Sequence, residues 1–178
     1  WYLSRLEEET QLADYCVAAS SFTKQTLQES GVPDHRILML PLGADLERFT
    51  PARRSTGGEF QILFVGGVGQ RKGIKYLLDA WNRIRGHGMK LVVVGPMVGS
   101  GRAFHQHAKD VEYIGRADTE QVVRHMHESH VLVLPSLLEG FGLVIVEAMA
   151  TGLPVIASTH SAGPDIIRDG RDGFVLRP

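Results

Sequence analysis

The sequence predicts a doubly wound α/β domain on a parallel sheet, preceded by a fragment of a second α/β domain. Three observations point there. Short, continuous, branched apolar runs recur along residues 59–178, punctuated by glycines, and such runs suit strands buried on both faces. Between them lie segments whose apolar residues fall at three- and four-residue spacing, the period of a helix with one buried face. Strand and helix then alternate in order, as in a sheet built from parallel crossovers.

From the N-terminus, residues 5–13 read as a helix, 15–19 as a short strand, and 22–30 as a helix closed by Gly31. Residues 37–40 form a strand running into Pro41. Two helices and two strands bury too little surface to fold alone, so residues 1–49 are assigned to the end of one domain and its hinge. Residues 50–58 are polar, glycine-ended and aperiodic, the mark of a linker. Residues 59–178 are assigned to the second domain. Its strands are expected at Ile62-Leu63-Phe64-Val65, Leu91-Val92-Val93-Val94, Val131-Leu132-Val133-Leu134 and Pro154-Val155-Ile156-Ala157. After Gly73, the residues Ile74, Leu77, Leu78, Trp81 and Ile84 fall on one helix face. Val122, Val123 and Met126 do so more weakly over 119–129, with Asp118 or Thr119 as N-cap.

Composition narrows the function. The 178 residues suit one complete domain plus a partial one, and a chain that starts at Trp1 is expected to be a piece of something longer. With 43% apolar and 22% charged residues it fills a core. The 19 basic and 20 acidic side chains leave a net charge of −1, which argues against a nucleic-acid partner, since that needs a dense cationic face. One cysteine, Cys16, excludes a disulfide framework and a multi-cysteine metal site. The longest nearly apolar run, residues 131–138, is far too short for a transmembrane segment. No basic start with an apolar stretch marks a secretory signal, so a soluble, cytoplasmic protein is expected.

The stretch that carries chemistry is residues 135–150. It succeeds the strand at 131–134, so Glu139 to Gly142 fall where a strand hands over to a helix, the favoured place for a ligand in an open α/β sheet. Gly140 and Gly142 remove side chains where backbone approaches a ligand. The helix starting near Leu143 offers unpaired N–H groups and a positive dipole end to a phosphate. Two carboxylates flank that point, with Glu147 roughly 6 Å into the helix at ~1.5 Å per residue. Like charge keeps both off the phosphate; neutral vicinal hydroxyls are their natural targets. A diphosphate between two polyhydroxy groups, as in a nucleotide sugar, meets all three requirements. Taken singly, Glu147 would be dipole compensation and Glu139 a solvated turn residue.

A second glycine-rich turn, Gly66-Gly67-Val68-Gly69-Gln70-Arg71-Lys72-Gly73, also comes directly after a strand. Lys72 supplies a point charge at the same sheet edge and Arg71 a fork for phosphate oxygens. The turn fits neither the Walker pattern nor the dinucleotide fingerprint. His125, His127 and His130 cluster in sequence, but His127-Glu128-Ser129-His130 is one residue short of the zinc-protease spacing, and no metal ligand is assigned.

These motifs resemble the donor-binding half of retaining glycosyltransferases of the GT-B fold, in the GT4 family. Glu139 and Glu147, with seven residues between them, match its paired-glutamate motif; Gly140-Phe141-Gly142-Leu143 match its glycine-rich core and Lys72-Gly73 its lysine-glycine step. Pro154 to Ser158 and Asp169 to Phe174 match the later segments of the family's donor domain, and Ser20, Pro41 to Asp45 and Phe49 match the end of the first domain. The resemblance implies a Rossmann-like donor domain lacking its final C-terminal helix. It implies that Glu147 binds the ribose hydroxyls, Glu139 the hydroxyls of the donor sugar, and Lys72 the diphosphate. Gly66, Gly67, Phe141, Gly142, Leu143 and Val144 would line the ligand with backbone. Two departures stand out: Gly67 occupies the place of an arginine, whose charge Arg71 is expected to take over, and Asp165 stands where members carry glutamate.

The implied reaction moves a sugar with retention from a UDP-, GDP- or ADP-linked donor to the hydroxyl of a glycan, lipid or small molecule held by the first domain. Peripheral membrane association of the complete protein is compatible with this. No Asp-x-Asp occurs, so a metal-independent enzyme without cofactor is expected, and the chain alone is expected to bind donor without transferring. A GT-B nucleotide-sugar epimerase and a non-catalytic binding module are the alternatives.

Overall fold

Two parallel sheets organise the computed structural model, which describes residues 2–53 and 57–178. Residues 54–56, in the middle of the expected linker, lie outside the described residues. The first segment contains α1 (Tyr2–Leu12), β1 (Cys16–Ala18), α2 (Ser21–Glu29) and β2 (Ile37–Met39). β1 and β2 pair in parallel, Cys16 opposite Ile37, over a small core of Ala18, Val32 and Ile37 against which Cys16 and Leu27 pack. Ser20 caps α2, its side chain accepting from the Thr23 N–H, which is why a serine precedes this helix.

The second segment runs β3 (Phe60–Val65), α3 (Ile74–Ile84), β4 (Met89–Val94), α4 (Arg102–His107), β5 (Val111–Gly115), α5 (Thr119–Glu128), β6 (Val131–Leu134), α6 (Leu143–Ala150), β7 (Val155–Ser158), α7 (Gly163–Ile166) and β8 (Gly173–Leu176). Its six strands, all parallel, lie in the order β5-β4-β3-β6-β7-β8. From β3 the chain winds outward through β4 to β5, then returns to the other side of β3 and winds outward again. That makes the sheet doubly wound, with its switch point between β3 and β6. Leu63, Phe64, Leu91, Val93, Leu132, Leu134 and Val155 are completely buried along its centre. Phe49, which precedes the linker, packs into this second core.

The expected apolar runs coincide with β3, β4, β6 and β7, except that β7 starts at Val155 because Pro154 has no N–H to give a ladder; its carbonyl accepts from Leu132 instead. Ile74, Leu77, Leu78 and Trp81 are buried on α3 as the periodicity requires. Ile84 is a correction: at the helix end it is 56% exposed, beyond the reach of the sheet. Asp118 is the N-cap of α5, in a reciprocal capping box with Gln121. Among the described residues no helix is long and apolar enough to cross a membrane.

Candidate functional site at the switch point

The turn after β3 and the turn after β6 meet at the crevice where the strand order reverses, the place where open α/β sheets bind ligands. Gly73 makes this meeting close. It sits at φ +70°, and a Cβ there would fall 1.8 Å from the Pro135 carbonyl oxygen, so only glycine lets the first turn press against the end of β6. The backbones are also hydrogen bonded: the Leu137 and Leu138 N–H groups both donate to the Arg71 carbonyl, at 2.9 and 3.4 Å.

This clasp carries Lys72 and Glu139 into one ion pair, with their side chains only 15% and 11% exposed. The stem of Lys72 packs over Gly66, its Cε 3.7 Å from where a Cβ would be. Arg71 is the looser partner. Its Nη1 donates to the Leu138 carbonyl at 3.2 Å and stands 4.0 Å from the second Glu139 oxygen, with most of the side chain in solvent. Ser136 is fully buried; its carbonyl accepts from Ser158 Oγ at 2.6 Å, and its own hydroxyl lies 3.5 Å from Glu139. It shapes the turn and does not stand exposed as a nucleophile.

The loop then enters α6. Gly142 holds φ +87° with Ile145, Leu134 and Glu139 side-chain carbons 3.2–3.3 Å from an added Cβ. No side chain caps the helix, so its first N–H groups, at Leu143 and Val144, are free of a capping acceptor. Phe141 is buried and its carbonyl takes the Ala162 N–H at 2.9 Å. Around Gly140, by contrast, a Cβ would meet nothing within 4 Å. Glu147 lies one turn inside α6, half-buried, and burial pushes its carboxyl above the ordinary value. No ion pair or hydrogen bond among the described residues links it to Lys72, Arg71 or Glu139. The structure thus joins Arg71, Lys72 and Glu139 in one cluster and keeps Glu147 outside it, unneutralised.

Gly67 lies against a second loop. Val98, from the loop after β4, lies across the turn, its Cγ2 3.1 Å from a Cβ at residue 67 and its Cβ 3.0 Å from one at Gly69. A parallel bridge between Val68 and Met97 holds the two loops together. A side chain at residue 67 requires the exposed Val98 to give by only a few tenths of an ångström.

Four residues outside the sequence-assigned set touch the Glu139 loop or its neighbours. Ser20 Oγ and Thr23 Oγ1 donate to the Gly140 carbonyl at 2.6 and 2.7 Å. His160 Nδ1 donates to the Leu137 carbonyl at 2.9 Å and its ring stacks on Phe22 at 4.9 Å. Asp165 accepts from the Ser21 N–H at 2.7 Å. Ser20 was legible as a helix cap, but nothing in the sequence pairs it with a carbonyl 120 residues away. The clustered histidines are engaged elsewhere: His130 Nδ1 accepts from the Gln61 N–H, His127 Nε2 donates to the Thr50 carbonyl, and His125 faces Glu128.

Comparison with known proteins bears on the family and the fold. The family model of the glycosyl transferases, group 1, matches residues 59–178. The chain belongs to that family. It is 32% identical to D-inositol 3-phosphate glycosyltransferase of Geodermatophilus obscurus, over 96% of this chain and 43% of that protein. Sucrose-phosphate synthase of Thermosynechococcus elongatus superposes with a TM-score of 0.81 at 25% identity, over 99% of this chain and 49% of the other. Anabaena HepE, solved with UDP and glucose, does so with 0.80 at 19% identity, over 95% and 51%. The chain therefore spans about half the length of these relatives.

Proposed function

We propose that this chain is the donor-binding half of a retaining glycosyltransferase that moves a sugar from a nucleotide diphosphate to an acceptor hydroxyl. The observation that carries the reading is the Lys72–Glu139 pair, set between the ends of β3 and β6 beside the uncapped start of α6. A cation with its partner carboxylate, an uncapped helix start, and a second carboxylate one turn further along that helix match a pyrophosphate with hydroxyls at either end. Anabaena HepE holds UDP and UDP-glucose on the same fold, which supports a uridine nucleotide as the first probe.

In this reading the diphosphate competes with Glu139 for the Lys72 ammonium. Glu139, released, turns its oxygens toward the hydroxyls of the sugar. Glu147, whose side chain has no ion pair or hydrogen bond among the described residues, accepts from the ribose hydroxyls. The bond between the anomeric carbon and the β-phosphate oxygen breaks with its electron pair going to the phosphate, where Lys72, Arg71 and the α6 N–H groups stabilise the developing charge. The acceptor oxygen bonds to the anomeric carbon on the same face, and its proton passes to the leaving phosphate. These cations do the work a divalent metal does elsewhere, so the reaction is expected to need none. Calorimetric titration with UDP, GDP, ADP and their sugar conjugates tests the assignment, repeated on Glu147→Gln and Lys72→Met. Affinity lost in both variants supports it; affinity unchanged in both overturns it.

A further inference from the structure

The loop that presents Glu139 is held from the other segment of the chain. The Gly140 carbonyl accepts two hydroxyl donors, Ser20 Oγ at 2.6 Å and Thr23 Oγ1 at 2.7 Å, which uses both lone pairs of that oxygen. Ser20 is completely buried and accepts in turn from the Thr23 N–H at 3.1 Å, so one hydroxyl caps α2 and anchors the loop together. The start of α2 is fixed against the second segment on its other side as well. Asp165, at the head of α7, receives the Ser21 N–H, and a carboxylate there also favours the helix dipole. Phe22 stacks on His160, the ring whose Nδ1 holds the Leu137 carbonyl. The loop is therefore pinned at Leu137 and at Gly140, on either side of Glu139, by groups that lie on α2 or rest against it.

We propose that Ser20 and Thr23 are positioning residues for donor recognition: through the Gly140 carbonyl, the seating of α2 on the second segment fixes where Glu139 stands. Any movement of the first segment relative to the second is felt at the sugar end of the donor. The nucleotide end, gripped by Lys72, α6 and Glu147, feels it less, through the pairing of Lys72 with Glu139 alone. The inference rests on the reading of Glu139 as the sugar ligand.

Two measurements on the 178-residue chain test it. Thr23→Val removes one hydroxyl at nearly constant volume and leaves the Ser20 cap in place; Ser20→Ala removes the other, and Thr23→Ser keeps the donor. Hydrogen exchange of the amides at 137–142 is expected to quicken about tenfold in Thr23→Val and Ser20→Ala, as one hydrogen bond of ~1.4 kcal/mol is lost. In Thr23→Ser it is expected to stay near that of the parent, with the β4 amides unchanged throughout. UDP-glucose affinity is expected to fall about three- to tenfold in the first two variants while UDP affinity holds within about twofold. Unchanged exchange at 137–142 in both deletions overturns the proposal, as does an equal loss of UDP and UDP-glucose affinity. If the parent binds UDP and UDP-glucose equally and Glu139→Gln alters neither, the sugar role of Glu139 is what fails, and the sugar-end coupling proposed here falls with it; quickened loop exchange then supports only the anchoring.

Discussion

Lys72 and Glu139 hold each other at near neutrality in a setting that is almost closed to water, and that pairing has a cost when broken. Removing one charge from a mostly buried pair leaves the other uncompensated, a loss of about 3 kcal/mol. Lys72→Met is accordingly expected to lower the thermal midpoint by roughly 10 °C, for a chain of this size. Adding Glu139→Gln removes the stranded carboxylate and is expected to recover most of that loss, while UDP affinity stays low in both variants; melting curves and titrations of the three proteins give the cycle. Glu147 behaves in the opposite sense. Burial, with no partner charge, raises its pKa, so the folded chain binds a proton more tightly there than the unfolded chain does. Stability from this group then falls as pH rises from the unfolded to the folded value, and at neutral pH the ionised carboxylate is a net strain. Glu147→Gln is expected to raise the midpoint at pH 7 by a few degrees at most and to weaken UDP by about ten- to a hundredfold, as charge-assisted bonds to two hydroxyls are lost. The same titration gives the parent an acid limb: UDP affinity drops as pH falls through the raised Glu147 value, above the ordinary 4.5. In Glu147→Gln that limb is expected to vanish.

At the scale of elements, the four central strands were legible because they are buried on both faces and so read as unbroken apolar runs. β5 and β8 were not, and they are the two edges of the sheet. An edge strand has one open side and less to bury; Val111-Glu112-Tyr113 and Gly173-Phe174-Val175 mix exposed and covered positions accordingly. The short helices α4 and α7 carry no periodic face long enough to detect. The candidate site was readable as motifs on two turns, since glycine, lysine and glutamate declare themselves locally. The Lys72–Glu139 pairing and the Val98 contact beside Gly67 depend on tertiary approach and left no local trace. The glycines separate the two kinds of information. Gly73→Ala would drive a Cβ into the Pro135 carbonyl at a left-handed φ and is expected to cost about 3 kcal/mol or more, seen in chemical denaturation. Gly140→Ala meets open space without a left-handed backbone. It is expected to leave stability within about 0.5 kcal/mol yet, if Glu139 is the sugar ligand as proposed, to weaken UDP-glucose more than UDP, because a methyl then occupies room beside Glu139.

For the molecule as a whole, the question is how a transferase with this donor half would manage the negative charge of its leaving group. The net charge of −1 supplies no general attraction for a diphosphate, so the attraction has to be local. On the proposed reading it is concentrated at the switch point of the sheet, where Lys72 and Arg71 meet Glu139 just before the uncapped start of α6. A helix end and a lysine act as fixed partial and whole charges in a site with little water, where each is worth more than in bulk solvent. Chains that use a metal instead need carboxylates spare to hold it. Among the described residues no group of three or more such side chains is gathered, and on the proposed reading Lys72, Arg71 and the α6 N-terminus take that role. On that reading the complete protein is expected to keep its rate in excess EDTA and to gain little from added magnesium or manganese. Its Lys72→Met variant is expected to lose about a hundredfold in kcat, the scale of one removed transition-state donor, with no recovery when divalent cations are supplied. A chelation-sensitive wild-type rate, or metal rescue of Lys72→Met, would mean that the leaving-group charge is met by an ion and not by these side chains.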